Sequence, residues 1–172
     1  VARVGRKFSD RRWEADDGTI WASKFEHDVY YRLAGDGYRI RKCDESDSVA
    51  YQSSIKSSVC LECGSSNCVQ LRTYTPDLYV VGGGRGIIRP GSVVECKGKF
   101  TGDKRNLFRQ VAAQWEGSNL CIIFQGNRLP GLKSSSIEWC QKFCKDVRPG
   151  LWHAQTKKSD AWVEWFPKGK DA

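Results

Sequence analysis

Two short runs carry residue types that together can cut a phosphodiester: Thr75-Pro76-Asp77 and, after a glycine-rich turn, Glu95-Cys96-Lys97. Side chains alternate along a strand, so Glu95 and Lys97 fall on one face and Cys96 on the other. A hairpin-like return between the runs sets Asp77 beside Glu95. Two carboxylates at one point repel each other, and a hard divalent cation such as Mg²⁺ or Mn²⁺ relieves that repulsion by taking both as oxygen ligands. An ammonium beside the cation can orient a water or offset charge growing on a phosphate. The plainer alternative is a salt bridge between neighbouring strands, because both patterns are short.

A second constellation is Cys60-Leu61-Glu62-Cys63 followed by Cys68, three thiols at metal-ligand spacing. Cys43 is the expected fourth ligand of a tetrahedral structural Zn²⁺; the alternative is a loop with incidental thiols. Cys96 and Cys121 lie in strand-like runs, and Cys140 and Cys144 in a helix-like one. There free thiols serve as small hydrophobes, so a reducing intracellular compartment is expected. His27 and His153 are read as surface residues, and the aromatic residues after Pro149 as core, with base stacking the lesser alternative.

The elements that must position these residues alternate in kind. Phe25, Val29 and Leu33 recur every fourth residue from Ser23, which predicts a helix ended by Gly35 and Gly37. Strands are expected over Tyr38–Lys42, 71–81, 92–100 and 120–125. An amphipathic helix is expected over 103–115, with Leu107, Phe108, Val111, Ala112 and Trp115 inward. A last helix, capped by Ser135, turns Ile137, Cys140, Cys144 and Val147 inward. Residues 43–72, rich in Ser and Cys, interrupt the pattern as an insertion. The fold class expected is mixed α/β, divided into a basic arm at 1–22, a domain at 23–152 and an aromatic, basic tail at 153–172.

At 172 residues the chain can bury a real core, and 40% hydrophobic with 28% charged residues describes a folded protein. No apolar run approaches a membrane span. No signal-peptide pattern is read; with Val1 first and no Met in the chain, the native start is expected to be missing. The net charge of +8 gathers in three places: Arg3 to Arg12, Lys97 to Arg109, and Lys157 to Lys170. Three basic clusters favour a polyanionic partner, since each neutralised phosphate releases a counterion.

The runs TYTPDLYV, VVECKGKFTGDKRNLFRQV, LCIIF and SSSIEWCQKF, in that order, resemble the phage endonuclease I family of Holliday-junction resolvases. That family is built on the PD-(D/E)XK nuclease core, and the resemblance spans residues 23–152. It implies a restriction-endonuclease-like core, a mixed sheet flanked by helices. It also implies an intertwined homodimer that cuts four-way or branched DNA with two metal ions per active site, in host cytoplasm if the source is a phage. Glu26, Asp77, Glu95 and Lys97 match the catalytic set, with Glu26, Asp77, Glu95 and the Cys96 carbonyl around Mg²⁺ or Mn²⁺. Lys99, Lys104, Arg105 and Arg109 match the DNA-facing positions. The alternative for Glu26 is a capping box with Ser23. Residues 43–72 depart from the family by widening the gap between Glu26 and Asp77. Two other functions stay open: a nuclease of the same core acting on ordinary duplex, and a zinc-containing nucleic-acid-binding module without catalysis.

Overall fold

The computed structural model describes residues 13–14, 18–54, 69–84, 87–115, 119–153 and 163–169. Within the N-terminal arm, β1 (Trp13–Glu14) and β2 (Ile20–Trp21) pair antiparallel. The reason is burial of Trp21, which is 2% exposed against the first helix and the sheet beneath it. Helix α1 (Lys24–Gly35) begins at Ser23, whose hydroxyl accepts the Glu26 N–H at 3.2 Å, and it buries Phe25, Val29 and Leu33. β3 (Tyr38–Lys42) follows after Gly37, which takes the left-handed φ of 82° that a side chain would resist.

Beyond a short 3-10 turn at Glu45–Asp47, β4 (Val49–Ser54) and β5 (Val69–Tyr74) pair with each other and form a separate two-stranded sheet. The insertion read at 43–72 therefore stands apart from the main sheet, and Cys60, Cys63 and Cys68 lie outside the described residues. The single strand expected over 71–81 is two strands in two sheets: β5 ends at Tyr74 and β6 (Leu78–Gly83) starts anew. Pro76 between them has no N–H to give to a ladder.

β7 (Val93–Lys97), α2 (Gly102–Ala113), β8 (Leu120–Phe124), α3 (Ser136–Phe143), β9 (Arg148–Trp152) and β10 (Val163–Trp165) complete the chain. Six strands form the central sheet in the order β10-β9-β8-β7-β6-β3. β7, β8 and β9 run parallel, while β3, β6 and β10 are antiparallel to their neighbours. β8 is buried at every position, as a parallel strand covered on both faces must be. On one face Leu78, Val80, Val94, Cys96 and Ile123 pack under α1; on the other Val93, Ile122 and Phe124 pack under α2 and α3.

α3 opens with a capping box between Ser135 and Glu138 and stops at Phe143. Cys144 and Val147, expected on its inner face, are buried on the turn beyond it. Within the tail, β10 adds an edge strand through Val163↔Trp152, so the sheet continues past residue 152. Among the described residues no helix is long and apolar enough to cross a membrane.

Candidate active site

β6 and β7 pair through Leu78↔Val94 and Tyr79↔Val93, and one step further that register sets Asp77 opposite Glu95. The strands part at this step. Asp77 fills the opening with its own side chain: Oδ2 accepts the Cys96 N–H at 2.6 Å, while the Asp77 carbonyl accepts the Cys43 N–H at 3.0 Å. A strand residue aims its N–H and C=O at the same neighbour, so the Cys96 carbonyl faces the opening as well. The alternation expected for β7 holds: Cys96 packs in the core under α1, and Glu95 and Lys97 sit on the other face, joined by a Lys97 Nζ to Glu95 Oε1 bond.

Glu95 is only 2% exposed, and its second oxygen, Oε2, is buried without a hydrogen-bond partner among the described residues. The Tyr74 hydroxyl is also buried and makes no close hydrogen bond among the described residues, though it stands near enough to Glu95 to interact with that carboxylate. Burial, then the charge of Glu95, holds that phenol above its usual range. Burial and, next, the Glu95 charge push the Asp77 carboxyl up to about 7. Burial works to lower the Lys97 ammonium, but Glu95 and Asp77 outweigh it and hold the lysine above its usual value.

Glu26 approaches from α1. Its carboxylate accepts from the Ser23 hydroxyl at 2.9 Å and from the Ala22 N–H at 3.2 Å, so it does help close the helix start. It also lines a cleft of ≈ 240 Å³ together with Asp77, Lys97, Lys99, Lys104 and Gln125. Burial, then the Asp77 charge, raises its carboxyl above the usual range. The capping contact and the cleft-facing position therefore coexist in one side chain.

The other expected site residues separate. Lys99 and Lys104 are exposed at the cleft. Arg109 is exposed further along α2. Arg105 Nη1 donates to the Phe100 carbonyl at 2.8 Å and to the Pro130 carbonyl at 3.4 Å, clasping two loops. His27 packs on Tyr31 with ring centroids 4.7 Å apart, and His153 meets Glu164 at 3.2 Å; neither lines the cleft. Cys43 is a buried free thiol, pushed up to about 12 by burial and then by Asp47. Tyr74 and Gln125 are site residues that sequence reasoning missed; Tyr74 belongs to the separate β4–β5 sheet, so no local pattern placed it beside Glu95.

Among the described residues, no group of three or more His, Cys, Asp or Glu side chains stands close enough to hold a metal ion. A pair does converge, Asp77 with Glu95, and the orphaned Glu95 Oε2 and the raised Asp77 carboxyl are the marks of carboxylates short of positive charge. Asp77 lines the cleft with Glu26, and Glu95 lies buried beside Asp77; oxygen donors of this kind suit a hard divalent cation. No family model, curated protein or solved structure matches the chain.

Proposed function

We propose that this chain is a metal-dependent endodeoxyribonuclease that resolves four-way or branched DNA junctions. The carrying observation is the convergence of Asp77 and Glu95 across the parting of β6 and β7, with Lys97 on Glu95 and Glu26 in the same cleft. The element order α1-β3-β6-β7-α2-β8 around a mixed sheet supports the restriction-endonuclease-like reading of the core. Asp77, Glu95 and the Cys96 carbonyl would hold Mg²⁺ or Mn²⁺, with Glu26 binding or orienting it. When bound, such a cation supplies a Lewis acid for the scissile phosphate and lowers the pKa of water.

The chain's own groups do the rest. Lys97 Nζ, released from Glu95, orients the attacking water and offsets the extra negative charge on phosphorus. Lys99 and Lys104, exposed at the cleft mouth, hold flanking backbone phosphates without reading bases. The water oxygen bonds to phosphorus, the bond to the 3′-oxygen breaks, and that oxygen leaves with a proton. The products carry 5′-phosphate and 3′-hydroxyl ends. Substrate choice rests on branch geometry, and a homodimer would present two such clefts to opposed strands.

A synthetic four-way junction and a linear duplex of the same arms, incubated with Mg²⁺ or Mn²⁺ and with chelator, test the proposal. Metal-dependent cutting confined to the junction is expected. Equal cutting of both substrates would favour an ordinary duplex endonuclease, and binding without any nick would leave only a nucleic-acid-binding module. The Zn²⁺ proposal, with Cys43, Cys60, Cys63 and Cys68 as ligands, is tested separately by metal analysis of protein purified without chelator; absence of zinc ends it.

A further inference from the structure

β7, β8 and β9 are parallel, so their starts lie along one end of the sheet. Ser92 and Asn119 stand just before β7 and β8, and Arg148 opens β9. The Val93 N–H to Asn119 carbonyl bond, 3.0 Å, ties the first two starts together. Arg89 enters from the β6–β7 connection and Lys168 from the segment after β10, and together these side chains line a pocket of ≈ 360 Å³. It lies at the opposite end of β7 from Lys97, roughly 16 Å away at about 3.3 Å per strand residue.

Three cations line this pocket, and no carboxylate does among the described residues. Among the described residues, neither the Arg89 nor the Arg148 guanidinium enters an ion pair or donates a hydrogen bond. Two guanidinium groups gathered in one concavity repel each other, and an anion relieves them. Guanidinium forks match tetrahedral oxyanions in particular, since two parallel N–H groups meet two oxygens. The Ser92 hydroxyl, which accepts the Arg89 N–H at 3.2 Å, fixes the start of that arginine's approach to the pocket. At the pocket floor, the positive charges of Arg148 and Lys168 partly offset the burial that raises the Cys121 thiol.

We infer that this pocket is a phosphate-binding site separate from the cleft, built from Arg89 and Arg148 with Lys168. The phosphate is a backbone group of a second nucleic-acid arm, and that source rests on the nuclease reading; the oxyanion chemistry does not. A branched substrate offers phosphates in two directions, and this site anchors an arm that the cleft does not hold.

The test uses the full chain and an Arg89→Gln/Arg148→Gln double variant, with Arg89→Gln alone as the exposed-loop variant least able to disturb folding. Melting temperature is measured with inorganic phosphate against chloride at matched ionic strength. Junction binding is measured without divalent metal across a salt series, so cleavage plays no part in the readout. Phosphate is expected to raise the wild-type melting temperature above the chloride control, and the double variant to lose that rise. The slope of log affinity against log salt should shrink by about 2 in the double variant and about 1 in the single one. Loss of the phosphate effect with an unchanged slope would keep the site and overturn the DNA-arm source in favour of free phosphate. Identical behaviour of phosphate and chloride on the wild type, with unchanged slopes, would overturn the site. A failed cleavage assay beside intact phosphate binding would count against the nuclease alone.

Discussion

The two ends of β7 make opposite electrostatic demands. At its carboxyl end, Asp77 and Glu95 meet with one lysine between them, buried enough that the Asp77 carboxyl sits near 7. At its amino end, Arg89, Arg148 and Lys168 surround an open pocket without an acid among the described residues. Burial makes the difference matter. A buried pair of carboxylates asks for a compact cation, whereas guanidinium groups in a more exposed concavity ask for a larger anion. One strand thus separates two polar sites by apolar residues alone, Val93 and Val94 being buried between them.

The sharpest way to break this contrast is at the acidic end. Asp77→Asn or Lys97→Ala is expected to lower junction cleavage by about 10²–10³-fold, because each removes charge where charge develops in the reaction. Metal-free junction binding should survive both changes, as gel-shift titration would reveal. Loss of binding together with cleavage would instead assign these residues to DNA contact.

Proton linkage gives the next largest effect. The Asp77 carboxyl titrates at about 7 in the fold against 3.8 as its ordinary value, so between those values the fold binds more protons than the unfolded chain. Its stabilising contribution is therefore full below the ordinary value and is lost as pH rises through 7. Asp77→Asn should melt higher than wild type at pH 8 and show no such gain at pH 3. Apparent Mn²⁺ affinity, followed by calorimetry, should climb about tenfold per pH unit below that titration and flatten above it, since metal must displace the proton.

Smaller effects separate neighbours on α2. Arg109→Ala should reduce the salt slope of DNA binding by about 1 and leave stability unchanged. Arg105→Ala should do the reverse, losing about 1–2 kcal/mol by releasing the Phe100 and Pro130 carbonyls. Tyr74→Phe is expected to raise stability by about 1 kcal/mol in denaturant titration, because it removes a buried hydroxyl that makes no close hydrogen bond among the described residues. A loss of stability would mean that the hydroxyl holds a bond in solution.

Legibility from sequence followed the range of the forces involved. α1 and α2 were readable because an apolar stripe is a local signal, reinforced at α1 by the Ser23 cap, and both helices fall within two residues of expectation. The facing of Glu95 and Lys97 was readable because strand alternation needs no tertiary information. The break at Pro76 was misread, since Tyr74 and Leu78 look like one strand until two sheets compete for them. β10 is three residues long, and its pairing with β9 is long-range, so no local pattern announced it. Arg105 looked like Arg109 because charge is visible in a sequence and a backbone carbonyl 25 positions away is not. Tyr74 escaped for the same reason: its place beside Glu95 depends on how the β4–β5 sheet packs on the main one.

One bond at the parting of β6 and β7 has an experimental use. The Cys96 amide gives its proton to a carboxylate rather than to a peptide carbonyl. Its NMR resonance should therefore lie downfield while Asp77 is ionised and move upfield as that group takes a proton. A single backbone signal, read in isotope-labelled protein without any added probe, would trace the ionisation of the site and the arrival of a cation.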